Sequence, residues 1–213
     1  MTTEEIYNKA RQVAGLNGMT TNERLWESGL MDEFDLCLKN DKGKAQIILE
    51  ALQIDEISII RILGNKPIIK YPNPWDFSST ISFDEYGGKL IYEDLNEIGM
   101  GAPISGNCFL INQENRNILI NNRCAGPPII NDEKTKIAIP IWTNSFFRGT
   151  YQKLSIIDLN ELTLTTFKKP FQVLDLRTFK KNIIIGFDSP KYKTKIVEFD
   201  IQKERIIERM KLK

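Results

Sequence analysis

The chain has 213 residues, 41% hydrophobic and 27% charged, with a formal net charge of +1, values that fit a globular protein and exclude a disordered one. It contains no histidine, which excludes a Ser-His-Asp or Cys-His triad, an HExxH zinc helix and any histidine proton relay. The near-neutral total hides an asymmetry: residues 1–64 carry 7 Lys/Arg and 11 Asp/Glu, whereas beyond Thr165 13 basic residues face 6 acidic ones. Basic residues such as Lys180-Lys181 and Lys191, Lys193 and Lys195 read as protection of turns and edge strands. No aromatic-plus-basic RNA motif accompanies them, so nucleic acid is disfavoured as a partner.

The segment MTTEEIYNKARQVAGL has acids where a secretion signal needs bases, and the run Ile183-Ile184-Ile185 is far too short to span a bilayer. Cys37, Cys108 and Cys124 show no metal-site spacing and fit a reducing compartment. The expectation is a cytoplasmic protein with no membrane contact, no metal and no cofactor.

Residues 1–64 read as helices. Thr2 with Glu5 and Thr20 with Glu23 match the capping box, in which hydroxyl and carboxylate satisfy free N–H groups at a helix start. The first helix should end near Gly15 and the second at Gly29. Leu30, Phe34 and Leu38 then recur four apart on one face. Asp41 can cap a helix through AQIILEAL and Asp55 one through EISIIRIL, closing at Gly64.

After Gly64 the pattern changes to short β-rich runs between turn signals, with every proline of the chain. Strands are expected near 67–71, 89–92, 107–112, 117–121, 136–142, 152–158, 162–167, 173–178, 183–187 and 195–200. Strands at this spacing without intervening helices predict an antiparallel all-β unit. A weak repeat runs through it: the turn at Asp158-Leu159-Asn160 matches Asp200-Ile201-Gln202 42 positions on, near a propeller period. The expected fold class is therefore α+β: a helical module at 1–64, then an antiparallel β domain at 65–213. Its sheets would be propeller-blade-like or a sandwich, and Trp75 and Phe77 would join the two halves.

Catalysis without histidine must rest on carboxylates, Lys, Tyr, Ser or Cys. Asp84, Glu85, Glu93, Asp94 and Glu97 surround the Gly87-Gly88 turn and could supply a hydrolase-like acid/base pair, although solvated turn carboxylates read the same way. The run Gly99-Met100-Gly101-Ala102-Pro103 lacks the Gly-Lys-Ser/Thr of a phosphate loop and leads into a strand. Cys108 and Cys124 could face one another on neighbouring strands, as buried free thiols. The segment from Trp142 to Gly149 reads as a long connection between two strong strands. Trp142, Phe146, Phe147 and Arg148 are its candidate partner-binding residues, because aromatics and arginine dominate interface hot spots. The structural alternative tucks Trp142 and one phenylalanine into the core.

The motifs Glu23-Arg24-Leu25, Ser28-Gly29-Leu30 and Asp32-Glu33-Phe34-Asp35, followed by a Lys-rich turn and an Ile/Leu helix, resemble a helical module of small bacterial proteins. Proteins with this module resemble immunity proteins encoded beside polymorphic toxins. The second half, with YGGKLIYEDLNEIGMGAP and CAGPP…IAIPIW, resembles a bacterial β-rich family of unassigned role. The resemblance implies a non-catalytic inhibitor that binds a protein partner, a toxin. The acidic first part would suit a basic one. The rival readings are a carbohydrate- or small-ligand-binding β protein and a carboxylate-dependent hydrolase.

Overall fold

The structure is a computed structural model that describes residues 1–64, 72–83, 88–112, 116–146, 148–190 and 195–212. The chain divides into two compact units, Met1–Tyr71 and Pro72–Lys213.

The first unit holds α1 (Thr3–Gln12), a single 3₁₀ turn at Leu16–Gly18, α2 (Thr21–Glu27), α3 (Met31–Asn40), α4 (Lys42–Ala51) and α5 (Glu56–Leu63). Both capping boxes form, at Thr2/Glu5 and Thr20/Glu23. Asp41 accepts from the Lys44 N–H at 3.0 Å and Asp55 from the Ser58 N–H at 2.9 Å, so each start is fixed by a local side chain. Leu30 and Phe34 are buried as their spacing predicts, but Cys37 rather than Leu38 completes the inward face of α3. Arg24 turns inward: its guanidinium donates to the carbonyls of Met19, Leu52 and Gln53 at 2.8–3.0 Å, tying α2 to the end of α4. Among the described residues no helix is long and apolar enough to cross a membrane.

The second unit is antiparallel β. Its strands are β1 (Thr80–Phe83), β2 (Gly88–Glu97), β3 (Ile104–Ile111), β4 (Asn117–Ala125), β5 (Ile129–Ile130) and β6 (Lys136–Ser145). After them come β7 (Gly149–Asp158), β8 (Thr163–Phe171), β9 (Leu174–Lys180), β10 (Ile183–Asp188), β11 (Lys195–Asp200) and β12 (Ile206–Lys211). The expected strand at 67–71 lies outside the described residues, and β1, β5 and β12 were not expected. Nine strands form one sheet curled as a half-barrel, in the order β1-β2-β3-β4-β6-β7-β8-β12 with β5 paired to β6. The remaining three form a second sheet, β11-β10-β9.

The matched turns predicted from the repeat are both present. Asp158 accepts from the N–H groups of Asn160 and Glu161, and Asp200 from that of Gln202. The strands after the two turns pair differently. β8 returns along β7, whereas β12 leaves β11 and pairs with β8. The Lys168 N–H to Arg205 carbonyl bond (2.8 Å) carries the chain across. The repeat is thus one of turns rather than of whole blades.

The two sheets explain the apolar reading of β6. Ile137, Ile139 and Ile141 face the inside of the curl, with Leu90, Tyr92, Leu110 and Leu164. Ala138 faces the other way, into a second core with Leu154, Phe167, Phe171 and Phe199 under the three-stranded sheet. A strand buried on both faces needs apolar residues at every position. Trp75 and Phe77 both serve the β unit: the Trp75 indole N–H donates to the Gly101 carbonyl at 2.9 Å, and Phe77 packs edge-on against Tyr92 at 5.1 Å.

Candidate functional site

The segment from Trp142 to Gly149 is a tight hairpin rather than a long connection. β6 and β7 pair residue for residue from Lys136↔Asp158 to Ser145↔Gly149, so only three residues separate the paired ends. Thr143, Asn144 and Ser145 read as loop because they are polar, yet their backbones stay in the ladder. Gly149, the first residue of β7, has φ +68°, a left-handed conformation that glycine adopts without strain as the chain leaves the turn.

The hairpin separates the candidate residues. Phe146 at the tip is 98% exposed and Arg148 is exposed, while Trp142 lies well down the ladder, opposite Gln152, and is 5% exposed. Phe147 lies outside the described residues. Beneath the tip, Asn144 Oδ1 accepts from Thr150 Oγ1 at 3.0 Å and from Arg123 Nη2 at 3.1 Å. One amide oxygen therefore ties β4, β6 and β7 together. Gln152 is fully buried and accepts from the Leu174 N–H at 2.6 Å. The indole N–H of Trp142 and the amide NH₂ of Gln152 have no hydrogen-bond partner among the described residues. The tip is thus carried on a stem whose paired side chains Trp142/Gln152 and Asn144/Thr150 share one face of the sheet.

The other chemical candidates are spread over the β unit. Asp84 and Glu85 lie outside the described residues. Asp94, at φ +53° in a β-bulge, accepts from Asn107 Nδ2 at 2.9 Å, and Glu97 from the Gly101 N–H at 2.8 Å. Glu93 is exposed on the same strand. Cys108 and Cys124 are brought together and fully buried beside Tyr92. Burial, reinforced by the contact with Cys108, pushes the Cys124 thiol well up, and burial does the same to the Tyr92 hydroxyl. Tyr92 donates instead to the Ala125 carbonyl at 3.1 Å. Both groups stay protonated in neutral water, which suits packing and not nucleophilic attack. Among the described residues no three His, Cys, Asp or Glu side chains gather as metal ligands.

One residue that the motif reading passed over stands out. Trp26 on α2 is 73% exposed. Its signal was present in the helix phase. Thr20 fixes the start of α2 and Leu25 is its buried residue, so the next position is rotated by about 100° away from the core. Comparison of the chain with family models, curated proteins and solved structures finds no match.

Proposed function

We propose that the chain is a non-catalytic binding protein of the immunity type, an inhibitor that covers the surface of a toxin protein in the cytoplasm. The observation that carries this reading is Phe146, 98% exposed at the tip of a hairpin stem in unbroken register. A large aromatic side chain exposed at the tip of an ordered hairpin and followed closely by an arginine has the composition of an interface hot spot. Its rigid stem lowers the entropy lost on binding, and Arg148 adds a charged flank. Trp142 and Gln152 act beneath it as the anchor of the stem. The helical-module resemblance supports the same reading.

The test is co-expression with the toxin-like protein encoded beside this gene. Protection is expected, together with a complex of the two purified proteins. Phe146→Ala and Arg148→Ala should weaken that complex, Phe146→Ala by roughly 2 kcal/mol or about thirtyfold, with an unchanged melting temperature. Absence of both protection and complex would reject the immunity reading. Lower stability with unaltered affinity would make the tip structural.

A further inference from the structure

We propose that the outward face of α2 and α3, with Trp26 and Leu36 set among carboxylates, is a docking surface for a Lys/Arg-rich patch on a partner protein. This rests on reading the chain as protein-binding, and it deepens that reading by naming the chemistry of the partner. On α2 the exposed residues are Asn22, Glu23, Trp26 and Glu27; on α3 they include Asp32, Asp35, Leu36 and Lys39, spaced three and four apart along one side. Trp26 is 73% and Leu36 58% exposed. An amphipathic helix in a folded unit turns its apolar residues inward, and α2 and α3 do so with Leu25, Phe34 and Cys37. Trp26 and Leu36 are additional apolar groups left in water.

The charge around them is mainly negative. Between Thr20 and Asn40 the basic residues are Arg24, whose guanidinium is spent on the Met19, Leu52 and Gln53 carbonyls, and Lys39, exposed three residues after Leu36. Glu33 is bonded to Lys44. Glu27, Asp32 and Asp35 form no ion pair among the described residues. Glu23 reaches back to the Thr20 N–H, and that bond holds its carboxyl below the usual range, so it remains an anion. The surface therefore presents two apolar anchors in a mainly negative field, in which Glu23, Glu27, Asp32 and Asp35 outweigh Lys39. Such a field steers a basic patch in and rejects an acidic one, while a buried Trp supplies affinity. Arginine is the best-matched counterpart, because it can pair with a carboxylate and stack on an indole.

The test uses the full chain and two sets of immobilised synthetic peptides of about 15 residues, one carrying Lys/Arg among Leu and Phe, the other Asp/Glu at the same positions. The basic set should bind and the acidic set should not, with affinity falling as salt rises. Trp26→Ala should weaken binding about tenfold, and so should the pair Glu27→Lys with Asp35→Lys. Both variants should keep the wild-type circular dichroism and melting temperature, since all three residues are exposed. Equal binding of the two peptide sets, or binding that neither variant changes, overturns the proposal. So does a chain that self-associates in sedimentation and becomes monomeric on Trp26→Ala, because the occupant would then be a second copy. Basic-peptide binding lost in the Trp26 variant, in a chain that gives no protection against the neighbouring toxin, would keep this surface and reject the immunity reading alone.

Discussion

Gln152 shows how a single buried side chain sets local order. Its carbonyl oxygen takes the Leu174 N–H, the first residue of the second sheet, while its carbon stem lies opposite Trp142 on the neighbouring strand. Gln152→Leu keeps the volume and removes the acceptor, so the Leu174 N–H is left buried and unpaired. That penalty is about 1–3 kcal/mol. Trp142→Phe removes a donor that has no partner among the described residues, so its cost is confined to the smaller ring. Urea unfolding of the two variants should therefore show a lost hydrogen bond in the first and a lost packing contact in the second. Wild-type stability in Gln152→Leu would mean that the Leu174 bond contributes nothing. Gly186 makes a different kind of constraint. A Cβ there would lie on the Asp175 carbonyl oxygen of the paired strand, a backbone atom that cannot rotate away. Gly186→Ala should lower the melting temperature more than Gly18→Ala, where a Cβ meets nothing within 4 Å.

At the scale of elements, what is legible in the sequence is what is decided locally. The helix starts are readable because Thr2, Thr20, Asp41 and Asp55 bond to N–H groups three residues away. The hairpins β7–β8 and β9–β10 are readable for a similar reason, since the polar turns at Asn160-Glu161 and Lys180-Lys181-Asn182 separate apolar runs. β12 escapes such a reading because its partner β8 is distant in the chain and its own six residues are all exposed, leaving no alternation to read. The Trp142–Gly149 segment misleads because pairing there depends on backbone register and not on side-chain polarity. Exposure of Phe146 is not readable at all, since the side toward which a tip residue turns is set by the hairpin's bend. Caps also give α2 a pH dependence. Glu23 is held below the usual carboxylate range by the Thr20 N–H, so its folded value is lower than its unfolded one. The stabilisation is present above the unfolded value, about 4.3, and is lost as pH falls through the lowered folded value. Acid titration followed by far-ultraviolet circular dichroism should show Glu23→Gln with a smaller loss of stability between neutral and acid pH than the wild type. An identical acid response in both would show that this cap does not contribute.

At the scale of the whole molecule, the two units differ in how their stability is distributed. Helices of 7 to 10 residues are marginal alone, and a unit of this size buries too small a fraction of its surface to hold them with a wide margin. Residues 1–64 expressed alone should therefore be largely unfolded, and a sharp thermal transition would show an independent domain. The β unit has two cores that share the strands β6, β7 and β8, so loosening one face of those strands loosens the other. Residues 72–213 should unfold in one transition for that reason. Its weak point is the last strand. β12 covers the edge of β8 and brings Leu212, which is buried, into the core inside the curl, through the Leu212 N–H to Leu162 carbonyl bond at 2.8 Å. Ending the chain at Gln202 removes this strand and leaves β8 as an open edge with Leu164 exposed beside it. An uncovered edge with apolar residues is a template for pairing between chains. The shortened protein should melt earlier and aggregate as it does so, whereas Leu212→Ala in the full chain should melt earlier without aggregating at the same concentration, because Glu208, Arg209 and Lys211 still guard the edge. Light scattering during a thermal ramp separates the two. Equal aggregation in both would place the protection in the core contact and not in the charged strand.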